Sequence, residues 1–242
     1  MKDDLLYAES AVDWAITNLP SFEDRLKAWC DDNIYPAIVK LPAENPDDLL
    51  VAREKIPLPL SFNVEFGAYL NAIRSSLDMV AWAVKEREKA IFPDEVYFPI
   101  AESAEKFAAW DYKGSKFVRQ LSRTYRDAFE AGQPYKRGNE ALSALHHLNN
   151  IGKHKRLLST YTRPGSFHVR GFGIRFRQAA SFIQGGEGET VLGFIAKGSQ
   201  PEVVYTGNVV INEPSLLEIQ SVTRALHIFG KCAKAIILLF DF

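Results

Sequence analysis

Apolar positions across residues 141–158, ALSALHHLNNIGKHKRLL, recur at helical spacing. At roughly 100° per residue, Ala141, Ala144, Leu145, Leu148, Ile151 and Leu158 fall on one arc, which predicts a helix packed against a core. His147, Asn150 and His154 share one flank of that arc, whereas His146, Asn149, Lys153 and Arg156 lie further round, on the side expected to meet water or a ligand. Gly152 falls within the arc at a cost of about 1 kcal/mol relative to alanine, so another helix is expected to approach its backbone closely. A second long helix is predicted from about Glu65 to Glu88. Its Leu70, Ile73, Leu77, Val80 and Val84 form one apolar face and Ala72, Met79, Trp82 and Ala83 another, so burial on two sides is expected. A narrow polar strip of Asn71, Arg74, Asp78 and Lys85 runs between them. Arg74 and Asp78, four residues apart, can pair along the helix, and burial would oblige them to do so.

Elsewhere the period varies. Residues 3–18 carry a helical pattern expected to end before Pro20, and Ser21 with Asp24 resembles a capping box opening a second helix towards Trp29. YPAIVKL and LLVAREKI, flanking a polar, proline-bearing loop, predict a β-hairpin near residues 35–56. FPDEVYFPI, residues 92–100, is bracketed by prolines and should cross the core in extended form, followed by a short helix near Glu105 to Trp110. Lys116 to Glu130 reads as one basic amphipathic helix, with Phe117, Leu121 and Phe129 inward and Arg119, Arg123 and Arg126 outward, stopped at Gly132 in the turn GQPY. Three strand-like runs between about 166 and 212 predict an antiparallel meander, in which Gly171 and Gly173 mark a bulge or a close neighbour. A closing helix starts near Pro214 and places Leu217, Val222, Leu226, Phe229 and Ile236 inward. Its apolar end, AIILLFDF, is expected to tuck into the core or to form a homodimer contact.

These elements predict an α+β fold: one domain over residues 1–242, with a mainly helical core at about 60–158 and 214–242 and a β insertion at about 166–212. The 242 residues are 47% hydrophobic and 24% charged, enough to bury a sizeable core. The net charge of −1 excludes a globally basic nucleic-acid binder, so any phosphate-contacting site must be a local patch, for which Arg119, Arg123 and Arg126 are the candidates. MKDDLLYAES has acidic residues where a signal peptide needs a basic lead, and no run reaches the ~20 apolar residues of a membrane span, so a cytoplasmic protein without a membrane partner is expected. Cys30 and Cys232, far apart, are expected to be buried thiols rather than a disulfide or part of a cysteine-rich zinc site.

The histidines fit a metal site poorly. His146, His147 and His154 are spaced by one, seven and eight, not by the four of helical zinc hydrolases, and no carboxylate lies in the stretch; no cofactor is expected. General acid and base chemistry on RNA needs no metal, only an imidazole near the 2′-hydroxyl and cations near the phosphate. His147, His154 and Arg74 are therefore the candidate catalytic residues, and Asp78, Asn150, Lys153 and Arg156 the candidate binding residues beside the three arginines above. The competing reading of each histidine is a polar residue satisfied at a core edge.

LNAIRSSLDMVAWAV, FPI, QPY and LNNIGKHKRLL, in that order, resemble the motif string L-R-S-x-L-D-H, F-P-I, Q-P-Y, L-N-x-x-x-K-H-R of a bacterial protein family of unknown function, over about residues 60–160. That string in turn resembles the HEPN helical superfamily, whose ribonuclease members carry an arginine followed four to six residues later by histidine on a helix. The resemblance implies a HEPN-like helical bundle acting on or binding RNA or a nucleotide. Met79 stands where the pattern has histidine, so His147 or His154 would have to substitute from the neighbouring helix. Arg163 and His168 match the spacing but enclose Pro164 and Gly165. The expectation is thus a pocket of Arg74, Asp78, His147, Asn150 and His154 between two helices; the alternative is a non-catalytic interaction or oligomerising protein.

Overall fold

The computed structural model describes residues 5–89, 96–109, 112–172, 174–184, 188–213 and 221–242. The fold is α+β. The described residues of 1–20, 63–158 and 214–242 form a helical unit, and 21–62 with 159–213 form a second unit built on sheets. No described helix is long and apolar enough to cross a membrane.

Helix α1 (Leu6–Asn33) contributes residues to both units and runs through Pro20, where a break was expected. Losing the proline N–H and crowding the preceding turn costs about 3 kcal/mol. Against that, Ala8, Val12, Ala15, Leu19, Phe22, Leu26 and Cys30 form an uninterrupted buried stripe. Each large side chain in it contributes about 1.5–3 kcal/mol on burial, which outweighs the defect and leaves no second cap at Ser21.

In the sheet unit, β1 (Ile34–Val39) and β2 (Asp47–Glu54) make the expected antiparallel hairpin. The later strands are β3 (Thr160–Arg170), β4 (Phe176–Gln184), β5 (Glu189–Ala196) and β6 (Glu202–Ile211). They do not form the expected separate meander. One four-stranded antiparallel sheet has the order β1-β2-β5-β4, and β3 pairs with β6 in a second sheet. The reason lies in β2, whose Leu50, Val51 and Ala52 are consecutive and all buried, as in an interior strand that must be paired along both edges. Arg53 and Glu189 face each other in the β2–β5 register and close an ion pair of 2.5 Å. Gly207 on β6 lies so near the junction of α1 and β1 that a Cβ would come within 2.8 Å of Ile34 and 3.2 Å of Cys30. Gly171 has φ +151° with Ile174 hard against it, the close neighbour expected there, while Gly173 lies outside the described residues.

The helical unit contains α2 (Leu60–Glu88), α3 (Ala104–Ala108), α4 (Lys113–Val118), α5 (Arg123–Ala131), α6 (Ala141–His154) and α7 (Val222–Leu238). Its centre is aromatic. Phe129 lies 5.2 Å from Phe98, 5.8 Å from Phe117 and 4.8 Å from Phe240, ring centre to ring centre. One face of α2 is buried as predicted, through Leu70, Ile73, Leu77, Val80 and Val84, but the second only in part: Ala83 is buried, whereas Met79 and Trp82 are 39% and 46% exposed. The single basic helix expected over 116–130 is two helices. Residues 119–122 turn between α4 and α5 so that Phe117, Leu121 and Phe129 can all be buried. The Ser122 N–H is held by Glu88 Oε2 at 2.8 Å. On α7, Val222, Leu226, Phe229 and Ile236 are buried; Pro214 and Leu217, like Trp110 and residues 92–95, lie outside the described residues.

Residues 96–101 form neither helix nor strand, yet Val96, Phe98 and Ala101 are buried, so their backbone polar groups need partners. Gln133, from the turn after α5, is fully buried and supplies several. Its Oε1 accepts from the Ala101 N–H, and its Nε2 donates to the carbonyls of Pro99 and Phe129, all at 2.9 Å. The Tyr112 hydroxyl donates to the Ile100 carbonyl at 2.7 Å. Gln133→Leu strands three buried backbone groups, so we expect a loss of about 2–4 kcal/mol in urea denaturation and faster hydrogen exchange at the Ala101 amide.

Candidate functional site

The polar strip of α2 turns inward at Arg74, only 4% exposed, and Asp78 follows one turn later, as the four-residue spacing requires. Arg74 Nη1 donates to Asp78 Oδ1 at 2.6 Å, and Nη2 donates to the Phe98 carbonyl at 3.0 Å. The same Asp78 oxygen accepts the Phe98 N–H at 2.9 Å. The pair therefore grips both backbone groups of the residue whose ring fills the aromatic core. A burial-driven ion pair was expected; its third partner was not.

His146 lies within electrostatic reach of this pair. Its pKa is held below the usual histidine value, first by desolvation and then by the Arg74 charge, with Asp78 opposing. Nε2 lies 3.1 Å from Asn150 Nδ2, while Nδ1 is buried without a partner among the described residues. Here the placement departs from expectation. His147 and His154 are exposed, and Asn149, placed on the water side by periodicity, is only 5% exposed. The cause is rotational. Leu142 and Asn149 belong to the buried arc with Leu145, Leu148 and Ile151, and including them turns the helix until His146 sits at the inner edge and His147 points out. Leu142 was the signal available in the sequence. No helix closes on Gly152 either, since a Cβ there would meet nothing within 4 Å.

The structure thus brings together Arg74, Asp78 and His146, with Asn150 bonded to that histidine, and leaves His147 and His154 in solvent. Lys153 and Arg156 are also exposed, the latter donating to the Leu157 carbonyl at 3.3 Å. The three arginines of the predicted patch separate. Arg119 donates to the Ala109 carbonyl at 2.8 Å, Arg123 lies 3.6 Å from Asp127, and Arg126 is exposed. Arg163 and His168 lie on strand β3, where their spacing gives no shared helical face. Sequence reasoning also missed Gln133 and Tyr112, which hold the backbone that Arg74 and Asp78 hold.

Nucleophilic chemistry finds little support. Cys30 and Cys232 are buried thiols, as expected, and burial pushes them up to about 12 and about 11. Among the described residues, no group of three or more His, Cys, Asp or Glu side chains comes together to hold a metal ion. No family model, curated protein or solved structure matches the chain.

Two outcomes follow. Asp78→Ala would leave the Arg74 charge buried and the Phe98 N–H unpaired, and should cost about 3–5 kcal/mol in urea denaturation. His146, with a folded pKa below its unfolded value near 6.5, binds more protons unfolded. Its contribution is therefore present above pH 6.5 and lost as the pH falls from there through the lowered folded value, and His146→Gln should flatten the stability–pH curve over that window.

Proposed function

We propose that this chain is a non-catalytic interaction protein in which the arginine–aspartate pair of α2 serves architecture rather than chemistry. The carrying observation is the engagement of Arg74: 4% exposed, one guanidinium nitrogen on Asp78 and another on the Phe98 carbonyl. A phosphate-binding arginine must present its guanidinium to a ligand, and this one is buried and turned to Asp78 and the Phe98 carbonyl. The exposed imidazoles, His147 and His154, lie on the side of α6 away from it.

The surface supports the same reading. Tyr7 on α1, 75% exposed, and Met79 and Trp82 on α2 line an apolar groove of about 420 Å³ with Ala83 and Glu86, and Lys85 caps the Trp82 ring at 4.1 Å. Large apolar side chains gathered beside a polar rim characterise protein-binding faces. The apolar stripe of α7, by contrast, is largely spent within its own unit, leaving Leu238 at 65% exposure near its end. A second copy of the chain is accordingly the first partner to test, through the α1–α2 face.

The second reading is a HEPN-like protein that binds or cleaves RNA or a nucleotide. What favours it is His146 beside Arg74: with Nε2 accepting from the Asn150 amide, Nδ1 carries the ring proton and has no partner among the described residues, which suits a general acid.

One preparation separates the two. Folded wild-type protein incubated with a mixed RNA pool without metal should leave it intact, and sedimentation over a concentration series should show self-association weakened at least about tenfold by Met79→Asp with Trp82→Asp. Cleavage abolished by His146→Ala, or by His147→Ala with His154→Ala, would overturn the interaction reading in favour of the nuclease.

A further inference from the structure

A pocket of about 220 Å³ in the helical unit is lined by α2, α6 and the residues just after α6, and shares only Lys153 with the residues expected to bind RNA. Its helical walls carry two glycines, Gly67 and Gly152, and a Cβ built on either meets nothing within 4 Å. The space beside both backbones is open. Leu70, fully buried, and Leu157, 46% exposed, supply apolar wall and lip. The pocket is held open by an internal brace rather than by loose packing: Asn63 Nδ2 donates to the Leu158 carbonyl at 2.5 Å, tying the chain after α6 back to α2.

Two polar groups face this space. Asn149 is only 5% exposed and lines the pocket. A polar side chain that lines a cavity is placed to hydrogen-bond a guest. Lys153 stands one turn on, exposed at the rim and without a carboxylate partner among the described residues. Desolvated amide within, cation at the mouth and branched apolar walls between define a complementary occupant.

We propose that this pocket binds a small amphipathic carboxylate: an apolar body against Leu70 and Leu157, an amide or similar polar group on Asn149, and the carboxylate on Lys153. The volume lies below the roughly 300–1,000 Å³ of sites for drug-sized ligands, so the guest is of metabolite size. The open glycines set the fit, because any side chain at position 67 or 152 would occupy the space the guest takes. The site stands independently of the interaction reading, since neither Met79 nor Trp82 lines it.

The test is calorimetric titration of the full chain with N-acetyl-L-leucine, 3-phenylpropionate and hexanoate, each beside its neutral methyl ester. At least one acid should bind with Kd of about 1 mM or tighter and its ester about tenfold more weakly. Lys153→Met should erase the difference between acid and ester, and Asn149→Leu should weaken binding at least about fivefold. Gly152→Leu should abolish binding while Tm holds or rises, because leucine is the better helix residue and meets no neighbour there. If no acid is preferred over its ester, or Gly152→Leu leaves binding intact, the proposal fails.

Discussion

The helical unit depends on how it seats Phe98. That ring lies among Phe129 and Phe240, at 5.2 and 6.3 Å, but it is carried by a segment with no ladder of its own to satisfy its backbone. An unpaired buried N–H or C=O costs more than a typical hydrogen bond returns, so the aromatic core can form only if polar side chains enter with it. Four do. Arg74 and Asp78 take both backbone groups of Phe98, Tyr112 takes the Ile100 carbonyl, and Gln133 takes Pro99 and Ala101. The motifs around Arg74–Asp78, FPI and QPY therefore meet in space as two sides of one lock. Their meeting in space has a structural explanation that needs no substrate.

This lock also shows why sequence reasoning stopped where it did. The Arg74–Asp78 pair was legible, since a four-residue spacing on an apolar helix leaves buried charges no nearer partner. Its attachment to Phe98 was not, because it is made to backbone atoms that every residue carries and that leave no mark on sequence. The same blindness hid Gln133, which reads as a turn residue until its amide is seen to complete another segment. On α6 the error was one of angle. A step of 100° separates His146 from His147, and an arc that takes in Ala141 and Ala144 and leaves out Leu142 exchanges the inner histidine for the outer.

In the sheet unit, local pattern found most of the strands and missed their partners. β1 and β2 are adjacent in sequence, so a short loop sufficed to pair them. The pairing of β2 with β5 closes over more than a hundred residues, and nothing in either strand names the other. What could be read was the demand for a partner, in the consecutive buried Leu50, Val51 and Ala52. Pro20 teaches the converse. A proline reads as a stop by local rules, yet one lost hydrogen bond is small against a buried stripe that continues on both sides of it, and the helix goes through.

The glycines of the long helices press the same accounting into function. A helix-interior glycine costs about 1 kcal/mol relative to alanine, and that cost is ordinarily explained by a neighbour too close for a Cβ. Gly230 on α7 has such a neighbour in Ile16, at 2.9 Å from a built Cβ. Gly67 and Gly152 have none, and both border the same space. With steric need removed, the volume itself gives a physical reason for the missing side chains. Two helices keep that volume clear, and the Asn149 side chain lines it. The two glycines depart from the most stable sequence for the fold, and they coincide at one place. Structural economy accounts for the Phe98 lock completely and for this pocket not at all.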